Sequence, residues 1–241
     1  MAAKARLALD PVADLSRRLA GRGRRTLHAC VHAWWQDQGL TEHPAEVAKR
    51  IALALVESDA ADRKLAGIVV LQELLADHLR ASDLAAFESL FASGALADDA
   101  IVDSFGVKVL GTMLSRVRGR VEVARALAGW RNADSMWQRR AACVAFTVLA
   151  PQGDAALPGL AHMIFMVCST VVWSPERVDQ TAVGWLLRQL SRAEPALVEA
   201  FIRRHARFMS RECLRQAVEA LPPARQLDLR ARWQRATTLA R

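Results

Sequence analysis

Apolar residues recur along this chain at the three- and four-residue spacing that lines one face of an α-helix, and they do so almost without interruption. The pattern predicts helices near 8–20, 24–38, 44–57, 60–79, 82–92, 98–117, 121–130, 135–149, 153–171, 176–192, 195–207, 210–220 and 223–239. Polar breaks between them are short, so successive helices are expected to pack as antiparallel neighbours. Start and stop signals agree with the periodicity. Ser174-Pro175-Glu176 and Glu194-Pro195 put proline at or beside a first turn, and Leu221-Pro222-Pro223 ends a helix sharply. Leu157 to Trp173 is the longest apolar run. It falls short of the roughly 18 to 20 residues of a membrane span and contains His162, so it is expected to be a buried helix. The first 25 residues are basic but broken by Asp10 and Asp14 and carry no long apolar run, which speaks against a leader.

Composition sharpens this picture toward an all-α protein. Leu and Ala dominate and Tyr is absent. The expectation is a single domain over residues 1–241, a HEAT-like helical-repeat solenoid with a concave basic face. A weak internal repeat supports it. Trp137 precedes Arg140 and Trp185 precedes Arg188 by three residues each, and the two tryptophans lie 48 residues apart, near the HEAT period of about 40 to 47. Residues three apart share a helix face, so each pair sets an aromatic plane beside a guanidinium. Cys30, Cys143, Cys168 and Cys213 form no CxxC pair and read as free buried thiols of a reducing compartment, which places the protein in the cytoplasm, in a bacterial cytosol or nucleoid.

Charge points to a partner. Residues 1–110 carry 13 basic and 15 acidic groups, net −2, whereas residues 111–241 carry 20 basic and 10 acidic groups, net +10. All the basic groups of the second part are arginine, whose planar fork suits phosphate oxygens. A one-sided basic field fits a polyanion that releases counterions on binding. The alternative is a set of solvated faces in a chain rich in Arg, Ala and Leu.

Three segments carry candidate chemistry. In Asn132–Ala142, Asp134 or Ser135 can cap a helix whose first turns present Trp137, Arg139 and Arg140. Adjacent helical positions diverge by about 100°, so one arginine is free to meet a phosphate while the other is solvated or paired. A core tryptophan covered by an arginine stem explains the same residues without a ligand. In Arg177–Arg188, Gly184 costs about 1 kcal/mol relative to alanine inside a helix, which suggests close approach of another helix or of a ligand beside Trp185. In Asp98–Gly111, Asp98 and Asp99 suit a helix start, and Asp103 follows a turn later among Ile101, Val102 and Phe105, where a carboxylate is costly unless paired or useful.

Over residues 98–220, and most clearly in MWQRRAA (136–142), QTAVGWLLRQLSRAEP (180–195) and MSRECLRQAVEAL (209–221), the chain resembles the AlkD-type family of HEAT-like DNA glycosylases. The first 95 residues match only in helical pattern. The resemblance implies a concave, positively charged face that holds double-stranded DNA with alkylated bases. It implies excision of cationic N-alkylated purines such as 7-methylguanine and 3-methyladenine by a monomer that needs no cofactor, metal or membrane. It puts the catalytic aspartate on Asp103, the phosphate-contacting arginine on Arg140 and a lesion-side tryptophan on Trp185. Arg139, Arg188 and Trp137 are further candidates for DNA contact. Where the family has a second tryptophan, four residues before the aspartate, this chain has Asp99. Two other readings stand beside excision: a non-catalytic relative that binds duplex or branched DNA, and a HEAT scaffold for an acidic protein partner.

Weaker signals complete the picture. His28 and His32 are spaced to share a metal, yet no third ligand lies near in sequence, and zinc needs three or four. Trp34 and Trp35 read as one core and one partly exposed residue. Arg203, Arg204, Arg207, Arg211 and Arg215 either extend a phosphate track or form a solvated face. Gly-rich phosphate loops, HExxH and GxSxG are absent, which leaves nucleotide hydrolysis, zinc proteolysis and esterase chemistry without support.

Overall fold

The computed structural model describes residues 7–21, 23–116 and 118–238, and these are 78% helical with no strand. The chain divides into two compact units, Met1–Val109 and Leu110–Arg241. The first holds α1 (Pro11–Leu19), α2 (Arg24–Asp37), α3 (Ala45–Glu57), α4 (Ala61–Val69), α5 (Leu84–Ala92) and α6 (Asp99–Phe105). The second holds α7 (Gly111–Ser115), α8 (Arg120–Gly129), α9 (Met136–Phe146), α10 (Leu160–Val171), α11 (Arg177–Leu190), α12 (Pro195–His205), α13 (Arg211–Val218) and α14 (Pro223–Thr238). The all-α expectation therefore holds, with most helix bounds within a few residues of the apolar pattern. The predicted ends at Val117 and Leu239 lie outside the described residues.

Two predicted helices are interrupted by wider turns. The 60–79 segment becomes α4, a π-turn over Val70–Leu74 and a short 3-10 turn, and the 98–117 segment passes through a π-turn at Gly106–Leu110 between α6 and α7. The predicted 153–171 helix begins only at Leu160. Gly153 has φ 54° and ψ −141°, and Gly159 is left-handed at φ 79°, so neither continues a right-handed helix. Once formed, α10 is buried on one side only. His162, Met166 and the following Trp173 are exposed, so the buried helix expected from the apolar run is buried along one face and open along the other.

In the first unit α4 packs against α2, α3 and α6. Gly67 makes the α3 crossing possible, because a Cβ there would stand 2.7 Å from the Ala52 carbonyl oxygen. Trp34, Leu55, Ile68, Leu71, Phe87 and Phe105 fill the core. Trp35 is also buried, not partly exposed, since its indole N–H finds the Thr41 hydroxyl at 3.0 Å. In the second unit α9, α11 and α13 pack side by side, with α10 and α12 against α11. All four cysteines are free and buried. Burial pushes the Cys143 thiol up to about 12, reinforced by Asp179, so it behaves as a small apolar side chain. No helix among the described residues is long and apolar enough to cross a membrane.

Candidate nucleic-acid interface

The sequence-selected arginines lie where α9 meets the first turn of α11. Ser135 caps α9, its hydroxyl accepting the Gln138 N–H at 3.4 Å, and this fixes the turn from which Arg139 and Arg140 diverge. Arg139 donates through Nε (3.0 Å) and Nη2 (2.5 Å) to Oδ2 of Asp179, which is wholly buried. Its Nη1 also donates to the carbonyls of Ala133 at 2.8 Å and Asp134 at 2.9 Å. The other Asp179 oxygen, Oδ1, has no hydrogen-bond partner among the described residues. Arg139 is thus ion-paired with α11.

Arg140 is itself 7% exposed, and its Nη1 donates to the Val178 carbonyl at 3.0 Å and the Thr181 hydroxyl at 2.9 Å. Two consecutive guanidinium groups on α9 therefore hold the start of α11. Arginine suits this position because its fork satisfies several acceptors from one stem. Trp137 and Trp185 are half-buried, and Arg188 forms an ion pair with Glu219 at 3.3 Å. Trp185 stands about 9 Å farther along α11 than Asp179 by helical rise. Beside it, a Cβ on Gly184 would meet the Cys213 carbonyl oxygen at 2.7 Å, so the close approach expected from this glycine is that of α13.

Asp103 belongs to the first unit. Asp98 caps α6, accepting the N–H groups of Ala100 (3.0 Å) and Ile101 (3.1 Å), while Asp99 is exposed in the first turn. Asp103 follows half-buried among Ile101, Val102 and Phe105, all buried, and Phe105 is held edge-on by Phe87 at 5.2 Å. The neighbouring stripe of the helix, Ala100, Ser104 and Lys108, lines a cavity of about 220 Å³ closed by His28, Leu65 and Val69.

Several functional-looking groups resolve differently from their sequence appearance. His28 Nδ1 and His32 Nε2 lie 2.8 and 2.7 Å from the two oxygens of one carboxylate, Glu73, 41 residues beyond His32. No group of three or more His, Cys, Asp or Glu among the described residues is arranged to hold a metal ion. The arginine cluster splits. Arg203 pairs with Glu199 at 3.2 Å and Arg215 with Glu212 at 2.6 Å, whereas Arg204, Arg207 and Arg211 are exposed and make no ion pair among the described residues. Arg120 is also taken up structurally, donating to the carbonyls of Leu114, Ser115 and Ala156. Asp179 and Gln180 received no role from sequence, although Asp179 lies 40 residues beyond Arg139, close to the suspected repeat.

Side-by-side helices tied through buried polar contacts between neighbours define an all-α helical-repeat protein. A family model of DNA alkylation repair enzymes matches residues 17–221, and the chain belongs to that family. DNA alkylation repair is accordingly its role, and DNA its partner. No curated protein matches the chain.

Proposed function

We propose that the protein is a DNA N-glycosylase that removes cationic N-alkylated purines, such as 7-methylguanine and 3-methyladenine, from duplex DNA. The observation that carries this reading is Asp103, a half-buried carboxylate on a helix whose capped start and packed Phe105 fix its position, in a chain of the DNA alkylation repair family. In the reaction, the bond between C1′ and the purine nitrogen breaks and its electron pair leaves with the base. An alkylated purine already carries positive charge and departs neutral, so it needs little acid assistance. The Asp103 carboxylate would stabilise the oxocarbenium-like sugar. Water then bonds to C1′ and releases a proton to solvent, leaving an abasic site. Arg140 would meet a backbone phosphate from a position fixed by α11, and Trp185 would lie against the lesion-bearing nucleotide. An aromatic face beside a cationic base contributes about 0.5 to 2 kcal/mol.

Asp99 favours a second reading, a non-catalytic relative that binds DNA, because it replaces an aromatic wall with a carboxylate. Release of 7-methylguanine from methylated duplex DNA, compared between wild type and Asp103→Asn, separates the two. Release by wild type alone supports the glycosylase. Absence of release with salt-sensitive duplex binding intact supports the second reading. An Asp103→Asn variant that excises as well as wild type removes the assigned catalytic role.

A further inference from the structure

Trp173 is the one exposed tryptophan among the described residues, at 58% of its full exposure. It is nevertheless rigidly mounted. Its ring centroid lies 3.5 Å from that of Phe208, with the planes tilted by 33°, and the Arg207 guanidinium lies 4.4 Å from the Phe208 ring centre. Beneath the rings, the buried Gln180 amide donates to the carbonyls of Val172 (2.7 Å), Ser174 (2.9 Å) and Phe208 (3.0 Å), and accepts the Ser210 N–H at 2.9 Å. One side chain thus grips the backbone on both sides of Trp173 and at Phe208 itself. Trp233 adds a bond from its indole N–H to the Met209 carbonyl at 2.8 Å.

Such mounting holds apolar surface out in water, where burial of the ring would otherwise be favoured. The surroundings are cationic. Arg177, Arg207 and Arg211, all exposed, lie within four residues of one or other ring in sequence. The nearby acids are Glu176, exposed, and Glu212, which Arg215 engages at 2.6 and 3.0 Å. A rigid aromatic face flanked by arginines is the chemistry that binds a base and its adjoining phosphates. Any nucleobase offers a π-face, but only where it is not already stacked on both sides.

We propose that the Trp173–Phe208 pair is a stacking platform for an unpaired nucleobase of DNA, with Arg207 and Arg211 meeting the phosphates beside it. The proposal rests on the DNA-binding part of the function above and is independent of excision. The full-length protein is titrated, by fluorescence anisotropy, with a duplex bearing a three-nucleotide overhang and with the same duplex whose overhang carries abasic sugars. The two probes have equal charge and differ only in bases. Wild type is expected to bind the base-bearing overhang about tenfold tighter, the size of a single stacking contact. Trp173→Ala and Trp173→Leu should bind both probes equally, Trp173→Phe should keep most of the preference, and Arg207→Gln should weaken both probes together. Equal binding of the two probes by wild type overturns the platform while leaving DNA binding intact. So does equal loss on both probes in the Trp173 variants, which would mark a structural role, or no change, which would leave the rings to a protein partner. Failure of wild type to bind either DNA overturns both the platform and the function on which it rests.

Discussion

Replacing Gly184 with alanine sets two effects of opposite sign against each other. In an unconstrained helix the change stabilises by about 1 kcal/mol, since glycine loses more backbone entropy on folding. Here the new Cβ would stand 2.7 Å from the Cys213 carbonyl oxygen, 3.1 Å from the Cys213 Cα and 3.0 Å from the Gln216 Cβ. The closest constraint is a backbone oxygen, and a Cβ and a Cα move only with their backbone, so a rotamer change offers no relief. To reach an ordinary contact of 3.4 Å, α13 must withdraw by roughly 0.7 Å, and overpacking of this kind costs about 1 to 3 kcal/mol. With rigid neighbours the upper end applies, leaving a net loss of about 2 kcal/mol after the helical gain. At this chain length that lowers the melting temperature by about 4 to 8 °C. The internal control is Gly129→Ala. Gly129 has φ −62°, and a Cβ there meets nothing within 4 Å, so this variant should gain about 0.5 kcal/mol. Thermal melts followed by helical circular dichroism read both. A Gly184→Ala protein as stable as wild type, beside a stabilised Gly129→Ala, would refute the close-approach argument.

Arg139→Ala strands the wholly buried Asp179 carboxylate and should cost about 3 to 5 kcal/mol in urea unfolding, with much of it regained in Arg139→Ala/Asp179→Asn. Additive losses from the two changes would show that the pair is not coupled. Burial pushes Glu73 up, but hydrogen bonding from His32 and the charges of His28 and His32 outweigh it and hold the carboxyl below its ordinary 4.5. Its stabilising contribution is therefore complete above 4.5 and lost as pH falls through the lowered value, so Glu73→Gln should flatten the acid limb of a stability–pH curve. If excision is established, Asp99→Trp should raise the single-turnover rate by about 2- to 30-fold through the added aromatic wall, and an unchanged or slower rate would remove that role.

Helix placement was legible because burial in this fold is one-sided and period-driven, and because the caps Ser135 and Asp98 and the first-turn proline Pro195 are local signals. The two π-turns were not, since Val69, Val70 and Leu71 are apolar and buried together and a one-residue widening leaves no mark on a continuous run. Gly184 announced a close approach, but sequence did not say whether helix or ligand made it. Contacts between distant residues stayed hidden. Nothing near Trp35 in helical spacing reveals the Thr41 hydroxyl, and nothing near His28 and His32 reveals Glu73. Trp173 was misjudged because apolar composition records an affinity for burial, whereas its exposure is imposed by hydrogen bonds to the backbone around it. Sequence set Arg139 and Arg140 apart as a pair pointing in different directions, one toward a phosphate and the other solvated or paired. Their shared hold on α11 became visible only with Asp179, Val178 and Thr181 in place.

Gln180 has a chemical consequence of its own. Three carbonyl oxygens surround its nitrogen, and a backbone N–H faces its oxygen, so the amide has one admissible orientation. Hydrolysis of that amide to a carboxylate would replace the donor with an anion facing three acceptors in a site only 3% exposed. The change is one atom in size, yet it would turn a clasp on two loops into a mutual repulsion. Gln180→Glu is thus a substitution that an ageing protein could make by deamidation, and burial is its protection: the water needed for the hydrolysis is kept away by the contacts the amide supports.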